Sequence, residues 1–448
     1  MILSFSVSNF RSFDKEATIS AIASKRVQNE HEQHLVAVPD TDEKALPILV
    51  LYGANGAGKS NLVQALGYLR NLALHLSQAE GRTGRVSFFR QENEPTCMDL
   101  TFLAEGMTFR YGVELSSSAI QNEWLLRLEG SREHVIFERS TQESGVSVAV
   151  GKGLGASERF QSLAVVGCRP HQTFLATALS TLEEEVLPAN LRIAVRWLQV
   201  LTLVGPESGI ANLSEILEQN AAIREFASGM LRRLSTGVEQ LVAVRRSLTP
   251  QEVATVFSPE QIALAASDPS VKHFADLPDG TQVHIESVDP WRAFHYSLRA
   301  AHRKADGSLV QLSLGEESDG TRRLLHLAPT LFELRMQASV FVVDEMDRSL
   351  HPNLLYAFLE SYLSEANPHT SQLIVTTHES HLLDTALLRR DEIWFAEKDN
   401  GGATSLYSLS DFQVRKDLSI RKHYLQGRFG AIPFLGNPDQ LLPKSSEA

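Results

Sequence analysis

The chain has 448 residues, 43% hydrophobic and 21% charged, with a formal net charge of −12. Those values describe an ordinary globular chain with core enough for roughly two to three domains, and exclude a disordered or globally basic nucleic-acid coat. No apolar run approaches the roughly 20 residues of a membrane helix, the start lacks an export signal, and Cys97 and Cys168 are too few for a metal or disulfide framework, so a cytoplasmic protein with reduced, buried thiols and no membrane partner is expected.

Taken in order, Ile2–Val7 reads as a strand ending in the turn Asn9-Phe10-Arg11-Ser12-Phe13. Residues 24–44 are polar and charged, a loop or short hairpin. Within them His31-Glu32-Gln33-His34 is too closely spaced for a zinc helix and reads as surface. Ile48-Leu49-Val50-Leu51-Tyr52 is an apolar run of buried parallel-strand type. It leads into Gly53-Ala54-Asn55-Gly56-Ala57-Gly58-Lys59-Ser60, which fits G-x-x-x-x-G-K-[ST] at every fixed position. Leu62, Ala65, Leu66, Leu69, Leu72 and Leu76 follow at helical spacing, so the glycines lie on a strand-to-helix turn. Glycine permits positive φ and close backbone approach. The N–H groups of Asn55, Gly56, Ala57 and Gly58, with the helix N-terminus, form a nest for phosphate. Lys59 is the residue to reach the β- and γ-phosphates, and the Ser60 hydroxyl a Mg²⁺ ligand.

Residues 85–137 carry short β-like runs separated by turn residues: Val86–Phe89, Met98–Leu103, Phe109–Leu115 and Trp124–Leu128. They predict an antiparallel sheet. From about Leu175 to Arg245 the period becomes helical, with Ala194, Trp197, Leu198 and Leu201, then Leu213, Ile216 and Leu217, then Ile223, Phe226 and Leu231. Residues 250–310 are mixed; Gly280–Ile285 and Gly307–Leu312 suit strands. The basic pairs Arg232-Arg233, Arg245-Arg246, Arg303-Lys304, Arg415-Lys416 and Arg421-Lys422 read as solvated surface charge.

Residues 312–323, with Ser318-Asp319-Gly320-Thr321, form a polar turn before an apolar-periodic helix through Leu324, Leu325, Leu327, Ala328 and Leu331. A helix start of that kind can bind an anion or simply be capped. Val340-Phe341-Val342-Val343 then runs into Asp344-Glu345, a buried strand presenting two acids at its C-terminal end, where open α/β sheets bind ligands. Asp344 suits the second Mg²⁺ ligand, and Glu345 a general base acting on water. A turn, residues 346–352, precedes another helix. Gln372–Thr377 is a further short strand, ending at His378, a candidate for the γ-phosphate or the attacking water. His378-Glu379-Ser380-His381 is one residue short of H-E-x-x-H, so no zinc site is expected there.

Together these motifs resemble the ABC-type ATPases, the superfamily of SMC, RecF-like and OLD-type proteins. Residues 53–60 resemble Walker A, 340–345 Walker B with its catalytic glutamate, 347–352 the D-loop and His378 the switch histidine. Ser318-Asp319-Gly320-Thr321 resembles the signature motif in its divergent OLD-type form. The resemblance implies nucleotide contacts from Ser318, Gly320 and Asp347, with Gln91 the Q-loop candidate. It implies an α/β fold of the P-loop NTPase, ABC-ATPase type: a mixed sheet flanked by helices, an antiparallel β subdomain and an α-helical insertion. The expected division is residues 1–135, the Walker A half; 136–310, a mostly helical insertion; and 311–448, the signature and Walker B half with a tail. Asp344-Glu345, Ser349-Leu350-His351-Pro352, Thr377-His378 and the tail Tyr424–Pro433 resemble a narrower group, the bacterial anti-phage and abortive-infection ATPases of the AbiLi/RloA kind, related to the PARIS ATPase.

That resemblance implies ATP and Mg²⁺ as cofactors and a homodimer or higher homo-oligomer sharing its ATP sites. It further implies a separate effector, a TOPRIM-type nuclease or a toxin, and a trigger that is DNA or a phage protein. The stretch after His378 is short for a TOPRIM nuclease, so nuclease activity is not expected in this chain. A RecF/SMC-like DNA-binding ATPase of repair or recombination is the alternative, and a non-hydrolysing nucleotide-binding scaffold a third reading, opposed by Glu345. Frequent Gly and Pro across 140–310 speak against a long coiled-coil arm.

Overall fold

The computed structural model describes residues 1–77, 81–152, 156–206, 212–267, 273–277, 281–286, 292–336, 339–348, 350–364, 371–414 and 419–432. Gly280, Ser349, the Arg415-Lys416 pair and Pro433 lie outside the described residues. The chain divides into two compact units. The first holds Met1–Leu203, Ala338–Met346 and Tyr356–Ala448, and the second Val204–Gln337 and Asp347–Leu355.

The first unit is built on two sheets. Its six-stranded sheet runs in the order Leu201–Val204, Val340–Val343, Gln372–Thr377, Ile48–Tyr52, Ile393–Lys398, Thr404–Ser408. The strands 340–343, 372–377, 48–52 and 393–398 are mutually parallel, and 404–408 returns antiparallel to 393–398. Every residue of Ile48–Tyr52 is buried, as its unbroken apolar composition requires of a strand covered on both faces. The helix Lys59–Leu74 buries Leu62, Ala65, Leu66, Leu69 and Leu72. It stops before Leu76, which is 40% exposed, because His75 is already extended.

The other sheet is antiparallel and seven-stranded: Gly145–Val150, Arg132–Gln142, Ile120–Glu129, Met107–Leu115, Thr96–Ala104, Ile2–Ser8, Ala17–Ser20. Thr96–Ala104 alternates buried and half-buried residues throughout, the period of a strand with one face on the core. Gln372, fully buried, ties the two sheets together. Its Oε1 accepts the Ile2 N–H at 2.6 Å, and its Nε2 donates to Ile2 O at 2.9 Å and Leu46 O at 3.0 Å.

The run Val86–Phe89, expected as a strand, is irregular. Its backbone is engaged by the turn at residues 9–13: Phe88 N–H donates to Asn9 Oδ1 at 3.0 Å, and Val86 O accepts the Arg11 N–H at 2.8 Å. His34 is 2% exposed, not surface as expected, and pairs with the buried Glu392 at 2.9 Å. Cys97 and Cys168 are free and half-buried.

The second unit centres on the long strand Arg292–Arg303. Val238–Ser247 pairs along one edge, and Gln282–Glu286 and Leu309–Ser313 share the other; His273–Asp276 pairs with Gln282–Glu286. Helices Leu213–Gln219, Ala221–Arg233 and Asp319–Met336 supply Leu217, Ile223, Leu231, Leu325 and Ala328 to a core with Leu241, Leu298 and Ala300. The span 136–310, read as mostly helical, thus includes most of one hairpin of the antiparallel sheet and much of this third sheet. Alternation in Val238–Ser247 is obscured because four of its last residues are exposed, including Arg245 and Arg246. No described helix is long and apolar enough to cross a membrane.

A buried acid sets a pH dependence in the first unit. Glu123 accepts the N–H of Phe174 at 2.6 Å and of Leu175 at 3.2 Å, and the Tyr111 hydroxyl at 3.2 Å. It caps the helix Phe174–Thr181 near the buried Arg139. Burial raises its carboxyl to about 7, against the opposing pull of the two N–H groups and the guanidinium. Burial raises Glu392 too, against the pull of His34. A raised acid means that the fold takes up a proton. The contribution is full below the ordinary carboxylate range and is lost as pH rises through about 7. The melting temperature is expected to fall between about pH 5 and pH 8, and Glu123→Gln to shrink that fall. An unchanged pH profile in the variant would exclude Glu123 as its source.

Candidate nucleotide site

The turn that follows Ile48–Tyr52 is shaped by three glycines with different duties. A Cβ on Gly53 would stand 2.5 Å from Ala396 O, so that position is fixed by the adjacent strand's backbone. Gly58 has φ +104, and a Cβ there would meet Thr404 Oγ1 at 2.2 Å. Gly56 has φ +78 with open space around it, so only its conformation calls for glycine. Thr404 and Ser12 brace the rear of the turn. The Thr404 hydroxyl lies 2.8 Å from both Ala57 O and Ser12 Oγ, and Asn61 donates to Ser12 Oγ at 2.7 Å.

Lys59, only 5% exposed, donates from Nζ to Gly53 O at 2.8 Å and Ala54 O at 3.2 Å. His378 Nε2 lies 3.2 Å from the same ammonium. Ser60 is half-buried beside Lys59 in the first helical turn, and Asn55 and Gly56 are exposed. Ala57 and Gly58 are buried. His378 itself is exposed, immediately beyond the strand Gln372–Thr377.

Two strands away from the glycine turn, Val340–Val343 delivers Asp344 and Glu345. Asp344 is 4% exposed and accepts the Thr376 hydroxyl at 2.5 Å. Glu345 is half-buried with φ 48, the left-handed region that side chains with a Cβ rarely enter. Its N–H donates to Thr376 Oγ1 at 2.8 Å. The glycine turn, the acid pair and His378 therefore sit at the C-terminal ends of three adjacent parallel strands, in one unit. A buried carboxylate and a helix-start hydroxyl are hard oxygen donors, the set that Mg²⁺ takes.

Gln91, Ser318, Gly320 and Asp347 are the remaining candidates. The Gln91 side-chain amide donates to Asp14, and the Gln91 backbone carbonyl accepts from Asn9 Nδ2 at 2.8 Å. Ser318, Gly320 and Asp347 belong to the second unit. Ser318 is exposed, and its Oγ accepts the Thr321 N–H at 3.2 Å at the start of Asp319–Met336, an ordinary N-cap bond. Asp347 is half-buried. Sequence reasoning passed over Ser12, Thr376 and Thr404. Ser12 and Thr404 are 392 positions apart, and no local pattern marks their pairing. Thr376 had one signal, its place in the run Thr376-Thr377-His378.

A family profile described as "AAA domain, putative AbiEii toxin, Type IV TA system" matches residues 48–153 and 251–384, over half of the chain. No curated protein matches the chain significantly. Among solved structures, an SMC head bound to the C-terminal winged-helix domain of ScpA aligns at 13% identity and a TM-score of 0.43, covering 91% of this chain and 97% of that one. The SMC head domain from Thermotoga maritima aligns at 13% identity and a TM-score of 0.37, covering 92% and 99%. Likeness at this level carries no functional argument. The family match, by contrast, takes in Lys59 in its first stretch and Asp344, Glu345 and His378 in its second. The chain belongs to this AAA family, designated AAA_21.

Proposed function

We propose that the chain binds and hydrolyses ATP and that this turnover regulates a partner effector in bacterial anti-phage defence. The supporting observation is the gathering of Lys59, Asp344, Glu345 and His378 at the ends of three adjacent parallel strands. On this reading the N–H groups of the turn from Asn55 to Ser60 hold the phosphates, with Lys59 balancing their charge. Ser60 and Asp344 would hold Mg²⁺, which would supply further neutralisation of the β- and γ-phosphates. Glu345 takes a proton from water as the water oxygen bonds to the γ-phosphorus. The bond from that phosphorus to the β–γ bridging oxygen breaks, and ADP leaves with its electron pair. His378 hydrogen-bonds the γ-phosphate, and Gln91 remains the Q-loop candidate.

Ser318, Gly320 and Asp347 then act on the nucleotide of a second copy. One glycine turn and one signature per chain give two equivalent composite sites related by a two-fold axis. ATP becomes an interface ligand that favours the closed dimer. The defence role is supported by the toxin–antitoxin wording of the matched family and by the resemblance of residues 424–433 to the anti-phage group. The effector on this reading is a separate TOPRIM-type nuclease or toxin, and the trigger DNA or a phage protein. No described feature favours direct DNA repair. The basic pairs at 232–233, 245–246, 303–304 and 421–422 are exposed, but Arg246 and Arg303 are already paired with Glu252 and Glu239.

Glu345→Gln is expected to lower turnover by about 10²–10⁴-fold while ATP still binds, because the base is lost and the phosphate nest kept. Lys59→Ala is expected to weaken binding and hydrolysis together. Calorimetry with radiolabelled phosphate release checks both, and wild-type hydrolysis in Glu345→Gln would remove the base assignment.

Sharing of the site is tested by mixing. Ser318→Arg should bind nucleotide and fail to hydrolyse it. Mixed with Lys59→Ala, it should regain part of the activity, since one site in each mixed dimer has both halves intact. Normal hydrolysis by Ser318→Arg alone would refute the composite site. For the effector, cells carrying this gene without its neighbours are expected to lack phage protection, and the purified chain not to cleave nucleic acid.

A further inference from the structure

The strand Gln372–Thr377 and its exit carry three polar residues in succession, Thr376, Thr377 and His378. The proposed chemistry uses only the last. Thr376 is 1% exposed, and every polar atom of it that faces the acid pair is engaged. Its hydroxyl donates to Asp344 Oδ1 at 2.5 Å and accepts the Glu345 N–H at 2.8 Å. Its carbonyl accepts the Met346 N–H at 3.0 Å. One residue thus fixes three successive residues at the exit of the neighbouring strand.

The chemistry of that side chain is specific. A hydroxyl on a short stem donates to a carboxylate and accepts an amide N–H through a single atom. The relay from N–H to hydroxyl to carboxylate polarises each member and strengthens the whole. It also accounts for the backbone at Glu345. A φ of 48 at a residue with a Cβ persists only when its surroundings over-determine it. The bond to Thr376 is an identified restraint on that conformation, and the conformation decides where the Glu345 side chain leaves the chain.

We propose that Thr376 is the positioning residue of the acid pair, orienting Asp344 for the cation and Glu345 for water through one hydroxyl. The inference rests on the nucleotide reading of this site. Thr376 touches neither phosphate nor water; it acts through the two acids. Because His378 follows two residues later, immediately beyond the same strand, with its Nε2 3.2 Å from Lys59, one strand end governs both the acids and the cationic side of the site.

The test compares Thr376→Ala with Thr376→Ser, which differ only by the hydroxyl, and adds the isosteric Thr376→Val. Three quantities are read: kcat and KM for ATP, nucleotide affinity in EDTA, and Mn²⁺ affinity of the ATP complex by electron paramagnetic resonance. Thr376→Ala and Thr376→Val are expected to lower kcat and weaken Mn²⁺ binding, each by about 10–100-fold, the usual effect of losing an outer-shell partner. Nucleotide affinity without metal is expected to hold, and Thr376→Ser to restore most of both losses. Equal behaviour of the Ala and Ser variants, or wild-type turnover and Mn²⁺ affinity in Thr376→Val, would overturn the proposal. If Thr376→Val does not fold, as judged by thermal melting, the Ala–Ser pair decides alone. A wild-type protein that binds ATP but turns none over removes the hydrolysis reading, while the Mn²⁺ comparison still decides the positioning role.

Discussion

The C-terminal end of Gln372–Thr377 is the constraint on which the site depends. That strand is the middle one of three, with Ile48–Tyr52 on one side and Val340–Val343 on the other. Parallel pairing brings the exits of all three to one edge, where their backbone and side chains leave the apolar interior together. On one flank Lys59 meets His378. On the other Thr376 holds Asp344 and Glu345. The strand's entry is equally determined, since the buried amide of Gln372 is bonded to Ile2 and Leu46. The strand's register is thus set by bonds at both of its ends.

The glycine turn shows how little of a phosphate-binding motif is dictated by phosphate alone. Gly53 is required by the carbonyl of Ala396, and Gly58 by the hydroxyls of Thr404 and Ser12 as well as by its φ. Only Gly56 is glycine for conformation without crowding. Two of the three therefore record packing between the turn and elements distant in sequence. The turn is held from behind by neutral hydroxyls, which leave its N–H side to charge chemistry.

What was legible follows from range. The turn at 53–60, the strand into Asp344-Glu345 and the strand into His378 each announce themselves within about a dozen residues, because period and motif are local properties. Their shared sheet was legible too, since a cation held by both Ser60 and Asp344 would require them to meet. The illegible parts are non-local. Val86–Phe89 has strand composition, but the turn at Asn9 takes its backbone groups. His34 stands in a polar loop and is buried only because Glu392 waits for it 358 positions away. The third sheet was hidden because Arg292–Arg303 alternates apolar residues with arginines and histidines, a composition that suits a loop or helix surface as well.

The chain leaves the first unit at Met346 and enters the second at Asp347. Glu345 is therefore one residue inside the crossing, in a conformation that costs roughly 1–2 kcal/mol for a residue with a Cβ. Strain stored at such a point is held by whatever bonds surround it, here the hydroxyl and carbonyl of Thr376 on the N–H groups of Glu345 and Met346.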